Sequence, residues 1–288
     1  MFFDTLQLRE IFSPKQMKSL LCLKDIAKQY NLSGKHIYKD FRGVFAVGNL
    51  DLLKSPIIAI IGTRSPNQYS KHYTAMLSRK LSKKGFAIIS GGAIGTDCIA
   101  HQNSDKNSIL VSPVGLNQVY PKQNKNLFEK IRSSGLLLSE YEDNETPRAH
   151  QFLERNRIII ALSDVVIIPQ ADLQSGSSSS ARLCVALNKP LFTLPHRMNE
   201  SLGTQELLHS RKADAIYNLE FFVNHIYQEY SPNKKDEIRK DNPKADMLLE
   251  FAGNNGLFLE ALQRFGDIVF EYELQGKIRR NGLHIELV

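Results

Sequence analysis

Six short runs, at 57–61, 86–89, 109–111, 136–138, 165–168 and 191–194, are almost wholly apolar and rich in Ile, Val and Leu. Continuous apolar runs of this length, without a polar alternation, suit parallel strands buried on both faces. Between the first two runs, Tyr73, Met76, Leu77 and Leu81 recur at helical spacing, and Lys71, Arg79, Lys80, Lys83 and Lys84 fall on other faces. Gly85 then offers a helix stop. Strand and helix patterns alternate in this way through the middle of the chain, which predicts an α/β fold: a parallel sheet with helices on both faces. Upstream, 20–30 has a helical pattern, and "FRGVFAVGNLDLL" reads as a short strand and turn feeding the sheet.

Past 231 the pattern changes. "SPNKKDEIRKDNPKAD" is charged, holds two prolines and has Ile238 as its single large aliphatic residue, the composition of a linker. Helical patterns follow around 248–251, 258–265 and 267–274. In the tail "KIRRNGLHIELV", Asn281-Gly282 lies between Ile278 and the alternating Leu283, Ile285 and Leu287, which signals a type I′ hairpin. Three helices and a β-ribbon predict a small winged-helix module. Its third helix would set Glu271 and Glu273 against phosphates if it entered a groove, so a protein-contact or packing role is expected of it. The expected organisation is a short helical segment (1–42), a sheet domain (43–230), a linker (231–246) and a winged helix (247–288).

Composition narrows the partners. The 288 residues are 42% hydrophobic and 23% charged, an ordinary globular balance. A formal charge of +7, from 37 Lys plus Arg against 30 Asp plus Glu, leans toward a polyanion. Cys22, Cys98 and Cys184 form no CxxC pair and no metal-ligand spacing, so reduced thiols and no metal are expected. The start lacks the pattern of a signal peptide, and no stretch approaches the ~20 apolar residues of a membrane span, which points to the cytoplasm.

Three strand-to-helix junctions carry the polar, glycine-bearing character of ligand loops. They are Gly62-Thr63-Arg64-Ser65, the turn "SGGAIGTD" (Ser90, Gly91, Gly92, Ala93, Gly95 and Asp97 among its residues), and Gln174-Ser175-Gly176-Ser177. In an open α/β sheet such loops meet at the carboxyl ends of the strands. Glycine lets backbone N–H groups approach an oxyanion, the following helix adds its positive end, and Arg64 adds a planar fork suited to phosphate. A dinucleotide site would want GxGxxG with a later acid; this chain has GGxxG, and "ILVSPVGLN" holds no acid. GxxxxGK[ST], GxSxG and HExxH do not occur, and the pair Cys98 and His101 lacks a third ligand.

"TPRAHQFLERNRIIIALSD" places Arg148, Arg155 and Arg157 around His150 and Phe152. Cations interleaved with an aromatic suit single-stranded nucleic acid, where each stacked base contributes ~1–3 kcal/mol. On a regular helix Arg155 and Arg157 point about 200° apart. One is therefore expected to face phosphate, and the other, with Asn156, to hold neighbouring loops. The plainer alternative makes Phe152 core and the arginines structural.

The ordered set "IAIIGTRSPNQYS", "IISGGAIGTDCIAH", "VYPKQN", "LLLSEY", "FLERNRIIIALSDVVIIPQAD", "SGSSSSARLCVAL" and "KPLFTLPHRMNESLGTQELL" closely resembles the DNA-processing protein A (DprA/Smf) family over about residues 43–212. The resemblance implies an extended Rossmann-like domain that binds single-stranded DNA, without catalysis or cofactor. It also implies a homodimer through that domain and help in loading the RecA recombinase during natural transformation. Carried over, the DNA pocket falls on Arg64, the Ser90 to Asp97 turn, Arg155-Asn156-Arg157 and Ser175-Gly176-Ser177, with Phe152 a base contact. Two departures stand out: Thr96 occupies a position where the family commonly has Ile, and the basic charge between Pro147 and Phe152 sits on Arg148. The alternative reading is a Rossmann-like enzyme of the nucleoside monophosphate phosphoribohydrolase type. Its motif PGGxGTxxE has only "SLGTQEL", with Glu206, as a partial match.

Overall fold

The computed structural model describes residues 1–29, 40–231, 243–266, 268–274 and 277–287. Most of the expected linker, together with Tyr30 and Asp267, lies outside these. Among the described residues nine strands form one sheet: β1 Phe2–Asp4, β2 Gly43–Gly48, β3 Ile57–Ile60, β4 Ala87–Ser90, β5 Ser108–Val111, β6 Leu136–Ser139, β7 Val165–Ile168, β8 Leu191–Thr193 and β9 Asp214–Ala215. The order across the sheet is β1-β2-β6-β5-β4-β3-β7-β8-β9. From β6 to β9 all neighbours are parallel; β2 pairs antiparallel with β6, and β1 antiparallel with β2.

The six apolar runs become β3 to β8, and every residue of β3 to β7 is buried. Their ends differ from the apolar pattern because serines close three of them. Ser90 Oγ donates to the Ile60 carbonyl at 2.6 Å and Ser139 Oγ to Val114 at 2.8 Å, while Ser108 Oγ bonds His101 Nδ1 at 2.6 Å. A hydroxyl with a partner can be buried in a strand, and hydrophobicity alone does not mark it. β1 and β9, three and two residues long, are too short to carry a period.

Among the described residues ten α-helices accompany the sheet: α1 Leu8–Ile11, α2 Pro14–Leu21, α3 Leu23–Gln29, α4 Gln68–Lys83, α5 Thr96–Asn103, α6 Lys125–Ser134, α7 Gln151–Leu162, α8 Gly176–Ala186, α9 Leu202–His209 and α10 Leu219–Tyr230. Strand alternation splits the core in two. Ile57, Ala59, Ala87 and Ile89 pack with Ile158 and Ile160 of α7 and with Leu20 and Leu8 of the N-terminal helices. Ile58, Ile60 and Ile88 point the other way, onto Leu77 and Leu81 of α4 and Phe222 and Ile226 of α10. The N-terminal stretch is thus part of the sheet's own core, and β1 extends its edge.

The central strand β3 has β4 on one side and β7 on the other. The connections leaving β3 and β7 therefore diverge from adjacent carboxyl ends, which is the topological switch point where open sheets hold ligands.

By packing, the chain divides into two units, Met1–Ser231 and Pro232–Val288. The second carries α11 Pro243–Gly253, α12 Phe258–Phe265, α13 Ile268–Leu274 and the antiparallel hairpin β10 Ile278–Asn281 with β11 His284–Leu287. Leu248, Ala261, Phe265, Val269, Ile278 and Ile285 form its core. Three helices and a hairpin follow one another along the chain, but the turn is set one residue on from the expected Asn281-Gly282. Asn281 pairs with His284, Gly282 takes φ +63°, and Leu283 is not left-handed, so the two-residue loop is Gly-Leu and lacks the two positive φ angles of type I′. Among the described residues no helix is long and apolar enough to cross a membrane.

Candidate nucleic-acid interface

Beyond β3 the chain turns at Gly62, where a Cβ would lie 2.7 Å from Thr96 Oγ1 and 3.0 Å from the Gln170 carbonyl. That closeness fastens three loops together. Thr63 N donates to the Gln170 carbonyl at 3.0 Å, and Thr96 donates to the Thr63 carbonyl through both N (3.2 Å) and Oγ1 (3.0 Å). Asn67 caps α4 by accepting from Ser70 N at 2.8 Å, and its own N–H donates to Gln170 Oε1 at 2.9 Å. Between these anchors Arg64 is exposed, and among the described residues its guanidinium makes no ion pair or hydrogen bond.

At this point a cleft of about 350 Å³ opens. Gly62, Thr63, Ala93 and Asp97 contribute to it from the β3 and β4 loops, Phe152, Arg155 and Asn156 from α7, and Ser175, Gly176 and Ser177 from the start of α8. Ser175 Oγ accepts from Ser178 N at 3.1 Å as the N-cap of α8. The Gly176 and Ser177 N–H groups, in the first turn, have no partner within the helix. The rim is aromatic and cationic: the Arg64 guanidinium carbon lies 5.6 Å from the Phe152 ring centroid, and the Tyr120 ring meets Phe152 edge-on at 5.2 Å. Sequence reasoning missed Tyr120 as a site residue. It lies 32 positions before Phe152 in the chain, and the signal available was its place in "VYPKQN".

The glycine turn after β4 behaves differently from the expected phosphate cradle. The buried carboxylate of Asp97 lies beside the backbone N–H groups of Ala93, Gly62 and Gly91, which favour its charged form. Burial raises its pKa, against the opposing pull of the Arg155 charge and these amides. Arg155 is also buried, and its Nη1 donates to the carbonyls of Gly91 and Val111, while Nε donates to Asn156 Oδ1 at 3.0 Å. Burial pushes the Arg155 guanidinium down to about 10, with Asp97 the strongest counterweight, so it stays charged at neutral pH. The chain's own anion thus fills the amide nest, and only Ala93 and Asp97 of this turn face the cleft. Ser90 is spent on the Ile60 carbonyl, the Gly92 carbonyl accepts from Asn124 Nδ2 at 3.0 Å, and Gly95, at φ +83°, lets the Arg64 backbone pass.

The two arginines of α7 do diverge. Arg155 and Asn156 hold loops, as expected of one of the pair; Asn156 Nδ2 also reaches Ser180 Oγ of α8 at 3.1 Å. Arg157, however, does not face phosphate: its side chain is fully buried, and Nη2 bonds both carboxylate oxygens of Glu140 at 2.6 Å. Ser65, Arg148 and Gln174 are exposed and do not line the cleft. Cys98 and His101 form no metal set, and no group of three or more candidate ligands occurs among the described residues. His101 is buried, and desolvation pushes its pKa down to about 3.

Residues 21–227 match the model of a family described as DNA recombination-mediator protein A. Protein Smf of Synechocystis sp. is 36% identical over 176 residues, which cover 58% of this chain and 44% of that protein. The DNA processing protein DprA of Bacillus subtilis is 35% identical over 173 residues, 59% of this chain and 58% of the relative. The chain therefore spans about half the length of these curated relatives. Among solved structures, DNA processing protein A from Helicobacter pylori, described for its single-stranded DNA binding mode, superposes with a TM-score of 0.66 at 48% identity over 68% of this chain and 92% of that one. DprA from Streptococcus pneumoniae has the same fold, with a TM-score of 0.61 at 24% identity over 80% of this chain and 99% of that one.

Proposed function

Because the chain belongs to the DNA recombination-mediator protein A family, we propose that it binds single-stranded DNA and acts, without catalysis, in DNA processing during natural transformation. The observation that carries this reading is the Arg64–Phe152–Tyr120 rim above a cleft that also receives the first-turn amides of α8. Arg64 and those amides take phosphate oxygens, the guanidinium by charge and the amides by hydrogen bond and helix field. A base stacks on Phe152, beside Tyr120. Every base has a π-face, so such contacts tolerate any sequence.

The remaining polar groups support holding over turnover. Asp97, the acidic side chain in the cleft, is buried beside Arg155 and the amides of Ala93, Gly62 and Gly91, where it braces the floor. Glu206, the residue on which the phosphoribohydrolase alternative depends, lines a separate cavity with Leu207, Arg182 and Lys212. That placement weighs against the alternative. We extend the proposal to a homodimer through the sheet unit, to loading of the RecA recombinase onto the bound strand, and to a cytoplasmic setting. The C-terminal unit serves protein contact in this account.

The test is fluorescence anisotropy with labelled oligothymidine. Binding is expected, weakening with salt at a log–log slope of about −0.7 per phosphate contacted. No binding to the single strand, or release of ribose phosphate from AMP, would overturn the reading.

A further inference from the structure

The cleft is not the only concavity that Arg64 reaches. A shallower basin of about 540 Å³ lies on its other side, bounded by Ser65, Pro66, Lys71, Gly95, Cys98 and Ile99. None of these described lining residues is acidic. Two helices begin at its edge, α4 after Asn67 and α5 after Gly95.

Lys71 sets the basin apart from an ordinary solvated surface. Of the other cations around α4, Arg79 Nη2 donates to Asn103 Oδ1 at 2.9 Å, Lys80 pairs with Glu220, and Lys84 Nζ sits 4.8 Å from the Tyr227 ring centroid, while Lys83, without a partner among the described residues, does not line the basin. Lys71 is exposed and, among the described residues, has no partner. It thus adds an uncompensated charge to a hollow whose other cation, Arg64, belongs to the cleft.

We propose that the single strand does not end in the cleft but crosses Arg64 and continues into this basin, where Lys71 takes a further phosphate. Arg64 is then the saddle between two compartments: the first holds a base on Phe152, and the second tracks the backbone. This rests on the single-strand reading given above and adds the direction in which the strand runs. The basin's described lining holds no aromatic ring, so it contributes charge and contact and no stacking.

Lys71→Ala tests this, with Lys83→Ala as the control. Lys83 is also exposed on the same helix, 12 residues or roughly 18 Å further along, and does not line the basin. Anisotropy is measured with oligothymidines from the shortest that the wild type binds up to lengths where affinity stops rising. Lys71→Ala should weaken the long oligonucleotides about three- to tenfold and lower the salt slope by about 0.7, while leaving the shortest unchanged. Lys83→Ala should leave all of them unchanged. Equal binding by Lys71→Ala and wild type, or an equal loss in Lys83→Ala, would each overturn the strand path while the cleft reading stands. A wild type that binds no oligothymidine of any length would remove both.

Discussion

A Cβ placed on Gly91 would lie 2.2 Å from the guanidinium carbon of Arg155, whose Nη1 already donates to the Gly91 carbonyl. The glycine therefore leaves room for an internal cation. Gly91→Ala must displace a side chain pinned to two carbonyls. It is expected to destabilise the sheet unit by about 2–3 kcal/mol, in the range of overpacking plus a disturbed buried charge. Urea denaturation checks this, and an unchanged midpoint would show that Arg155 has freedom to move.

Arg157 and Arg64 should separate stability from binding. Arg157→Ala leaves the Glu140 carboxylate without the guanidinium that bonds both its oxygens, a loss of about 3 kcal/mol or more. Arg64→Ala, at an exposed position, should change stability by less than about 0.5 kcal/mol. Melting curves of the two variants give the comparison, and similar losses would contradict the assigned roles.

How much of this the sequence disclosed depends on range. The six buried strands were legible because a parallel strand covered on both faces leaves an unbroken apolar run, and Gly85 marked a helix end by its φ of +90°. The three ligand loops were legible as strand-to-helix punctuation, and the sheet order does bring Thr63, Ala93 and Ser175 to one cleft. What local pattern could not disclose was which charges meet. Asp97 and Arg155 lie 58 positions apart, and each alone reads as a polar residue free for a ligand. Together they close the nest between Gly62 and Ala93. Arg157 likewise looks available until Glu140, from the end of β6, is placed against it. Tyr120 had no helical or strand period to join it to Phe152.

His101 gives the sheet unit a pH dependence of definite sign. Its folded pKa is pushed to about 3 from 6.5 by burial, first, and secondarily by the Arg155 charge. Between those values the unfolded chain binds a proton that the folded chain refuses. The stability is thus complete above pH 6.5 and lost as pH falls toward 3, about 3 kcal/mol of it by pH 4.5. Asp97, whose pKa is raised, works in the opposite direction at the acidic end. His101→Gln should flatten the decline between pH 7 and 4.5 by that amount in urea titrations, and parallel profiles for variant and wild type would contradict the assignment.

The central claim is that Arg64 and Phe152 together hold an unpaired strand, so the decisive measurement is oligothymidine affinity for Arg64→Ala, Phe152→Ala and the double variant, each checked for an unchanged melting temperature. The account predicts that Phe152→Ala loses ~1–3 kcal/mol of binding with its salt slope intact. It predicts that Arg64→Ala loses affinity together with about 0.7 of that slope or more. Folded variants that bind as tightly as the wild type would contradict it.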